Sequence, residues 1–224
     1  MKRPGLIGGL APPSTVDYYN RIIEVYRESR DDYPSILINS VDLQLGLKLV
    51  TENRLAELAD FLAAEISRLV AAGADFIALA ANTPHIVFEE LAKRCPVPMI
   101  SIVDATLEAA RADGARSALL LGTRFTMESG FYQRSFDREG IRIVLPDDES
   151  RLFIHETYIG ELIRGVFRPE AAQEMMKIIR DTSADVLILG GTELPLLLRG
   201  LDAGRPMLDT TEIHVARIVR EITS

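Results

Sequence analysis

Two short polar segments follow apolar runs typical of buried strands, and their side chains suit the binding of a small anion. Asn82-Thr83 comes soon after the run Phe76 to Ala80, and Thr192-Glu193 follows Val186 to Leu189. Amide, hydroxyl and backbone N–H groups beyond the carboxyl end of a parallel strand are suited to hold a carboxylate. We therefore expect both segments to bind a carboxylate ligand.

The two segments belong to a longer internal similarity. GADFIALAANTPH (Gly73 to His85) and SADVLILGGTELP (Ser183 to Pro195) share the order helix end, Ala-Asp, apolar strand, two small residues and a polar group with Thr. This order predicts equivalent elements of two half-molecules whose loops enclose one site. The alternative is that parallel strands generally end in small polar turns.

Other loops offer further anion-binding groups. Gly8-Gly9 follows the first strand and precedes Ser14-Thr15 at the predicted start of a helix, where N–H groups are free to meet an anion. Thr123 and Thr126 flank another strand end, and a helix-capping role explains them equally well. Arg164 lies on a predicted amphipathic helix, where a lone arginine is usually a solvated side chain.

Several other chemistries lack their motifs. His85, His155 and His214 are widely separated without HxxxH or HExxH, so no metal is expected, and the single cysteine, Cys95, permits neither a disulfide within the chain nor a cysteine-rich zinc cluster. No GxSxG, GxGxxG or P-loop pattern occurs. His85 is a candidate to titrate near a pocket, although such residues more often cap or pack a helix.

Composition describes an ordinary globular chain. Its 224 residues are 47% hydrophobic and 26% charged, with a net charge of -8 and scattered Lys and Arg, which argues against nucleic acid as a partner. No apolar run has the length of a membrane span and the start lacks a signal peptide, so we expect no membrane association and a cytoplasmic location.

Aliphatic runs alternate with amphipathic stretches along the whole chain, which predicts an α/β protein with mostly parallel sheets. The predicted strands are Leu6-Ile7, Ser35 to Ser40, Phe76 to Ala80, Met99 to Val103, Ser117 to Leu121, Arg142 to Val144 and Val186 to Leu189. The predicted helices are Thr15 to Ser29, Leu55 to Ala72, Ile86 to Lys93, Thr106 to Asp113, Met127 to Arg138, Ser150 to Gly165, Arg168 to Ser183 and Ile213 to Ile222.

Seven stretches together resemble the aspartate/glutamate racemase family, which includes hydantoin racemases and arylmalonate decarboxylases. They are IGGLAPPSTVDYYNRI, INSVDL, ALAANTPH, LLGTRFTMESGFYQRSF, GELIRGVF, LILGGTELPLLL and DTTEIHVARIV, in order from Ile7 to Val219. The resemblance implies two pseudo-symmetric α/β domains, residues 1–104 with 210–224 and residues 105–209, and an active site in the cleft between them. It also implies a homodimer that uses neither pyridoxal phosphate nor metal.

In this family two cysteines exchange a proton at the substrate Cα. At the matching positions this chain has Ala81, before Asn82-Thr83, and Gly191, before Thr192-Glu193. Neither residue can carry a proton, which leaves Thr83, His85 and Glu193 as catalytic candidates. The resemblance assigns substrate binding to residues that match positions lining the cleft: Gly9, Asn82, Thr83, Thr123, Thr126, Arg164 and Thr192.

The resemblance thus implies a cofactor-independent racemase-like protein that binds a small carboxylate or dicarboxylate. An arginine at position 164, where some racemases carry a lysine, favours a dicarboxylate. The alternatives are a decarboxylase or lyase of a malonate-like acid, a non-catalytic carboxylate-binding protein, and an engineered inactive form.

Overall fold

Strands and helices alternate along the chain in the computed structural model, which describes residues 1–10 and 12–224. The strands are β1 Pro4–Gly8, β2 Leu37–Ser40, β3 Phe76–Leu79, β4 Met99–Ile100, β5 Ser117–Gly122, β6 Arg142–Val144, β7 Val186–Gly190 and β8 Met207–Asp209. The helices are α1 Pro12–Arg27, α2 Leu43–Thr51, α3 Leu55–Ala71, α4 Phe88–Arg94, α5 Ile102–Ala112, α6 Arg124–Glu128, α7 Phe131–Arg138, α8 Asp148–Gly160, α9 Pro169–Asp181, α10 Leu194–Leu197 and α11 Thr210–Thr223. Two 3-10 helices cover Thr83–Val87 and Leu162–Arg164.

The chain divides into two compact units with the same sheet topology. Unit 1 comprises Met1–Ile102 and Thr211–Ser224, and unit 2 comprises Val103–Thr210. Unit 1 has a parallel sheet in the order β2-β1-β3-β4, and unit 2 has a parallel sheet in the order β6-β5-β7-β8. In each sheet the first and third strands are central. The predicted fold class, two pseudo-symmetric α/β halves with parallel sheets, is confirmed.

The central strands are continuously apolar because both faces of each sheet are covered. Every residue of β3 and of β7 is buried. In unit 1 one face of the sheet packs against α1 and α11, where Tyr18, Ile22 and Tyr26 meet Val215 and Ile218. The loops that follow the central strands β1, β3, β5 and β7 therefore begin at buried, well-packed strand ends.

The repeated Ala-Asp step has a structural role in both units. The carboxylate of Asp75 accepts the N–H of Arg3 at 2.6 Å, just before β1. In unit 2, Asp185 accepts the N–H groups of Arg116 and Ser117, each at 2.8 Å, where β5 begins. These bonds hold the pKa of Asp185 below its usual range, with the Arg116 N–H as the main cause. Each aspartate thus joins the amino ends of the two central strands.

Some predicted helices differ from those observed, and glycine explains one case. The predicted helix Met127 to Arg138 is two helices, α6 and α7, because Gly130 between them has a φ of 78°. Such a left-handed conformation interrupts a helix and suits glycine best. The predicted helix Ser150 to Gly165 ends at Gly160, so Arg164 lies at the end of a separate 3-10 helix.

Other differences concern short elements. The predicted strand Met99 to Val103 ends at Ile100, because α5 begins at Ile102. Three short elements, α2, α10 and β8, were not predicted, although the side chain of Asp42 caps α2 by accepting the N–H groups of Gln44 and Leu45. None of the described helices is long and apolar enough to cross a membrane.

Candidate active site

The loop after β3 in unit 1 carries Asn82 and Thr83, the first pair of polar residues predicted to bind a ligand. The strand ends at Leu79, and the 3-10 helix Thr83–Val87 begins four residues later. Asn82 is buried, while Ala81 and Thr83 are half-buried. Pro84 stands in the first turn of this helix, where a missing N–H removes no hydrogen bond. The loop is therefore a short, ordered turn rather than an open segment.

His85 holds this loop in place. The N–H of Ile102 donates to Nε2 at 3.2 Å, so the ring proton is on Nδ1, which lies 3.0 Å from the carbonyl oxygen of Ala81 and 3.2 Å from that of Asn82. Burial, helped by the nearby His214, lowers the pKa of His85 to about 3. Both nitrogens of this neutral ring are engaged within the protein. The arrangement gives His85 a structural role and leaves no nitrogen to accept a substrate proton.

A second buried histidine stands beside it. His214 of α11 is fully buried, and its Nε2 lies 3.1 Å from the carbonyl oxygen of Ile100. A carbonyl only accepts, so Nε2 carries the proton and Nδ1 accepts the Tyr18 hydroxyl at 2.9 Å. Burial lowers the pKa of His214 to about 4. The rings of His85 and His214 meet edge to face at 6.2 Å, which completes a neutral polar network in unit 1.

The glycine pair after β1 is shaped by close packing. Gly9 has a φ of 84°, and a Cβ there would lie 2.5 Å from the backbone nitrogen of Val41. Its N–H donates to the Thr15 hydroxyl at 2.8 Å. Since α1 begins at Pro12, Thr15 lies within its first turns rather than at its start. The Gly9 N–H that was nominated for an anion is thus engaged by the protein itself.

In unit 2 the loop after β5 is a helix cap. Thr123 precedes α6, and its hydroxyl accepts the N–H of Thr126 at 3.3 Å. The two hydroxyl groups are 3.2 Å apart, and both residues are buried. The sequence left anion binding and helix capping open for these two threonines, and the structure contains the helix cap.

The loop after β7 brings a buried carboxylate into the site. Glu193 is 5% exposed, and it accepts the Thr192 hydroxyl at 2.6 Å. It also accepts a short hydrogen bond from the hydroxyl of Tyr158 in α8. Burial, followed by the negative charge of Glu193, raises the pKa of Tyr158 well above its ordinary value. The nominated residues Thr192 and Glu193 therefore share one hydrogen-bonded cluster with a tyrosine.

Tyr158 also explains why residue 191 is a glycine. A Cβ built on Gly191 would lie 2.6 Å from Cε2 and 2.8 Å from Cζ of Tyr158, with the hydroxyl oxygen nearer still. The phenol end thus occupies the space that a side chain at position 191 would need. Sequence reasoning missed Tyr158, whose only signal was a polar tip on the buried face of a helix.

The remaining nominated groups lie apart from these clusters. Arg164 is exposed, and Gly165, with a φ of 75°, ends its 3-10 helix. Cys95 is half-buried after α4, and burial raises the pKa of its thiol. Among the residues described, no group of three or more His, Cys, Asp or Glu side chains is arranged to hold a metal ion.

The protein is thus an α/β protein with a repeated parallel sheet, and polar loops follow the equivalent strands β3 and β7. The chain belongs to the Asp/Glu/hydantoin racemase family, whose profile matches residues 7–218.

Relatives of known name agree with this assignment. The chain is 26% identical over 218 residues to the broad specificity amino-acid racemase RacX of Bacillus subtilis, covering 92% of each sequence. It is similar to the structure of an aspartate racemase homologue from Pyrococcus horikoshii, with 33% identity, a TM-score of 0.85 and full coverage of both chains. A proposed Asp/Glu racemase from Yersinia pestis gives 31% identity and a TM-score of 0.93, again with full coverage. The predicted family is confirmed.

Proposed function

We propose that the protein is a cofactor-independent enzyme that labilises the α-proton of an amino acid or a related small carboxylate. Membership of the racemase family over residues 7–218 is the observation that carries this proposal. Its relatives include a broad specificity amino-acid racemase and a homologue of aspartate racemase, so aspartate, glutamate and other amino acids are the first substrates to test.

The polar loop of each unit is a candidate for substrate binding in this proposal. Unit 1 supplies Asn82 and Thr83 after β3, and unit 2 supplies Thr192 after β7. Gly9, Thr123 and Thr126 support the loops after β1 and β5, since Gly9 donates to Thr15 and the hydroxyl groups of Thr123 and Thr126 bond to each other. Arg164 is exposed, and we propose it as the partner of a distal carboxylate, which an arginine binds in a bidentate manner.

Neither Ala81 nor Gly191 can carry a proton, and this favours a second candidate function. Loss of CO2 from a malonate-like acid generates a carbanion without a base, so a decarboxylase needs only one proton donor. A carboxylate-binding protein without turnover is the third candidate.

Incubation with L-aspartate, L-glutamate and a panel of other amino acids in D2O separates these candidates. Proton NMR measures loss of the Cα–H signal, chiral chromatography measures inversion, and thermal unfolding measures binding. We expect deuterium at Cα of at least one amino acid. Stabilisation without exchange would leave a binding protein, and CO2 release from phenylmalonate without amino-acid exchange would indicate the decarboxylase.

The substrate site has a matched pair of variants. Thr83→Val and Thr192→Val each remove one hydroxyl at nearly constant volume, so we expect weaker binding and slower exchange. Thr223→Val is the control, because its hydroxyl only bonds to carbonyl oxygens of its own helix, α11. The cytoplasmic location and the homodimer stay predictions, and sedimentation velocity tests the latter.

A further inference from the structure

The hydroxyl group of Tyr158 occupies a distinctive place in unit 2. It reaches from α8 to the end of β7, where its ring fills the space beside Gly191. Position 191 follows the strand directly and lies next to the polar residues Thr192 and Glu193. A phenol oxygen therefore stands where a longer side chain at residue 191 would place its own functional group.

The partner of this hydroxyl is a carboxylate, and both groups are well buried. Tyr158 is 6% exposed and Glu193 is 5% exposed. Glu193 accepts hydrogen bonds from the Tyr158 and Thr192 hydroxyl groups. The phenol keeps its proton at rest, and the hydrogen-bonded carboxylate is positioned to take that proton when the phenol oxygen receives another one.

We propose that Tyr158 and Glu193 form a proton relay that performs the task for which residue 191 has no side chain. This inference rests on the proposed function, because it assigns the proton carrier for α-proton exchange. In this relay Tyr158 is the catalytic residue that contacts the substrate, and Glu193 acts on the substrate only through the Tyr158 hydroxyl.

The relay conserves atoms and charge. The substrate Cα–H bond breaks and its proton goes to the Tyr158 oxygen, while the phenol proton moves to the Glu193 carboxylate. The electron pair of the C–H bond stays on the substrate as a carbanion conjugated with its carboxylate. Glu193 becomes a neutral carboxylic acid, and the reverse movement returns a proton to Cα. Tyr158 stays a phenol, which suits a group whose pKa is raised by its buried site.

This relay has a stereochemical consequence. The relay serves one face of Cα, and Ala81, the other position matched to a family cysteine, has no group that carries a proton. Deuterium should therefore enter Cα faster than the configuration inverts. Equal rates of exchange and inversion would require a second carrier and would contradict the relay as the sole proton carrier.

Two conservative variants of the full-length protein test the relay. Tyr158→Phe keeps the ring beside Gly191 and removes only the hydroxyl, and Glu193→Gln keeps a hydrogen-bond acceptor that cannot take up a proton. We expect each variant to lower kcat for exchange by about 100-fold or more, the usual contribution of general acid–base catalysis, while KM changes little. Tyr132→Phe is the control, because Tyr132 is also a fully buried tyrosine of unit 2 and makes a different hydrogen bond, to Thr106. It should retain wild-type exchange.

The outcomes separate this inference from the proposed function. Exchange by the wild type that persists in Tyr158→Phe and in Glu193→Gln would overturn the relay and leave the proposed function intact. An equal loss in Tyr132→Phe would show that buried tyrosine hydroxyls act through stability, which also overturns it. A wild type that binds amino acids but exchanges none would refute both proposals.

Discussion

The two buried histidines of unit 1 make the protein sensitive to mild acid. His85 and His214 have pKa values of about 3 and about 4 in the folded protein. In the unfolded chain both titrate near 6.5. As the pH falls below that value the unfolded state takes up protons that the folded state cannot, so stability is complete above about pH 7 and declines below it.

The size of the effect follows from proton linkage. Each group contributes about 1.4 kcal/mol per pH unit once the unfolded state is protonated and the folded state is not. Between pH 7 and pH 5 this amounts to about 2 kcal/mol for each histidine, or about 4 kcal/mol together. That is a large part of the roughly 5–15 kcal/mol that stabilises a typical folded protein. With an m-value of about 2 kcal/mol/M, the urea midpoint should fall by about 2 M.

Two measurements check this prediction. The chain has three histidines, so proton NMR of the tag-free protein should show three Cε1–H resonances, two of which do not titrate between pH 8 and pH 5. Urea unfolding gives the energy, and His214→Asn should lose about half of the pH dependence. His155→Asn is the comparison, because this third histidine is only partly buried and partial burial lowers its pKa too, so we expect its loss to remove a smaller part of the pH dependence than His214→Asn. Titration of all three resonances near 6.5 would refute the reasoning.

Two further predictions follow from packing and from thiol chemistry. Gly191→Ala should lower the free energy of unfolding by about 1–3 kcal/mol, because the new Cβ overlaps Tyr158; Gly160→Ala, whose Cβ would meet nothing within 4 Å, is the thermal-unfolding control. A neutral result at position 191 would mean that Tyr158 moves aside freely. Cys95, the single cysteine, is half-buried and has a raised pKa, so mass spectrometry should show slow alkylation at pH 7 and alkylated protein should keep its exchange activity. Loss of exchange in step with alkylation would contradict the assignment of the proton carrier.

The sequence predicted the central strands of both sheets because buried parallel strands carry their own signal, whereas the three-residue edge strand β8 was missed. Val186 to Leu189 is apolar at every position, and the repeated Ala-Asp step marked its counterpart at Phe76 correctly. The two units with equivalent strand orders followed from that repeat. Elements were misjudged where a single residue decides the backbone, as at Gly130, or where a helix is short, as at α2.

The site was harder to predict because its contacts join distant parts of the chain. Thr192 and Glu193 could be nominated from their place after a strand, but their partner Tyr158 lies 35 residues from Glu193 and on another element. His85 looked like a possible base until its two nitrogens were found engaged with Ile102 and the loop carbonyls. Sequence gives the types of groups at a strand end, whereas long-range packing decides which of them are free to react.

The aspartates that join the central strands bear on which substitutions the two sheets tolerate. Asp75 and Asp185 act at the amino ends of the sheets, whereas the loops with Ala81 and Gly191 lie at the opposite, carboxyl ends. Strand pairing is therefore stabilised at one end of each sheet, and the polar loops that carry the candidate site stand at the other end. Side chains in the loops that follow β3 and β7 can therefore differ without breaking the hydrogen bonds that Asp75 and Asp185 make.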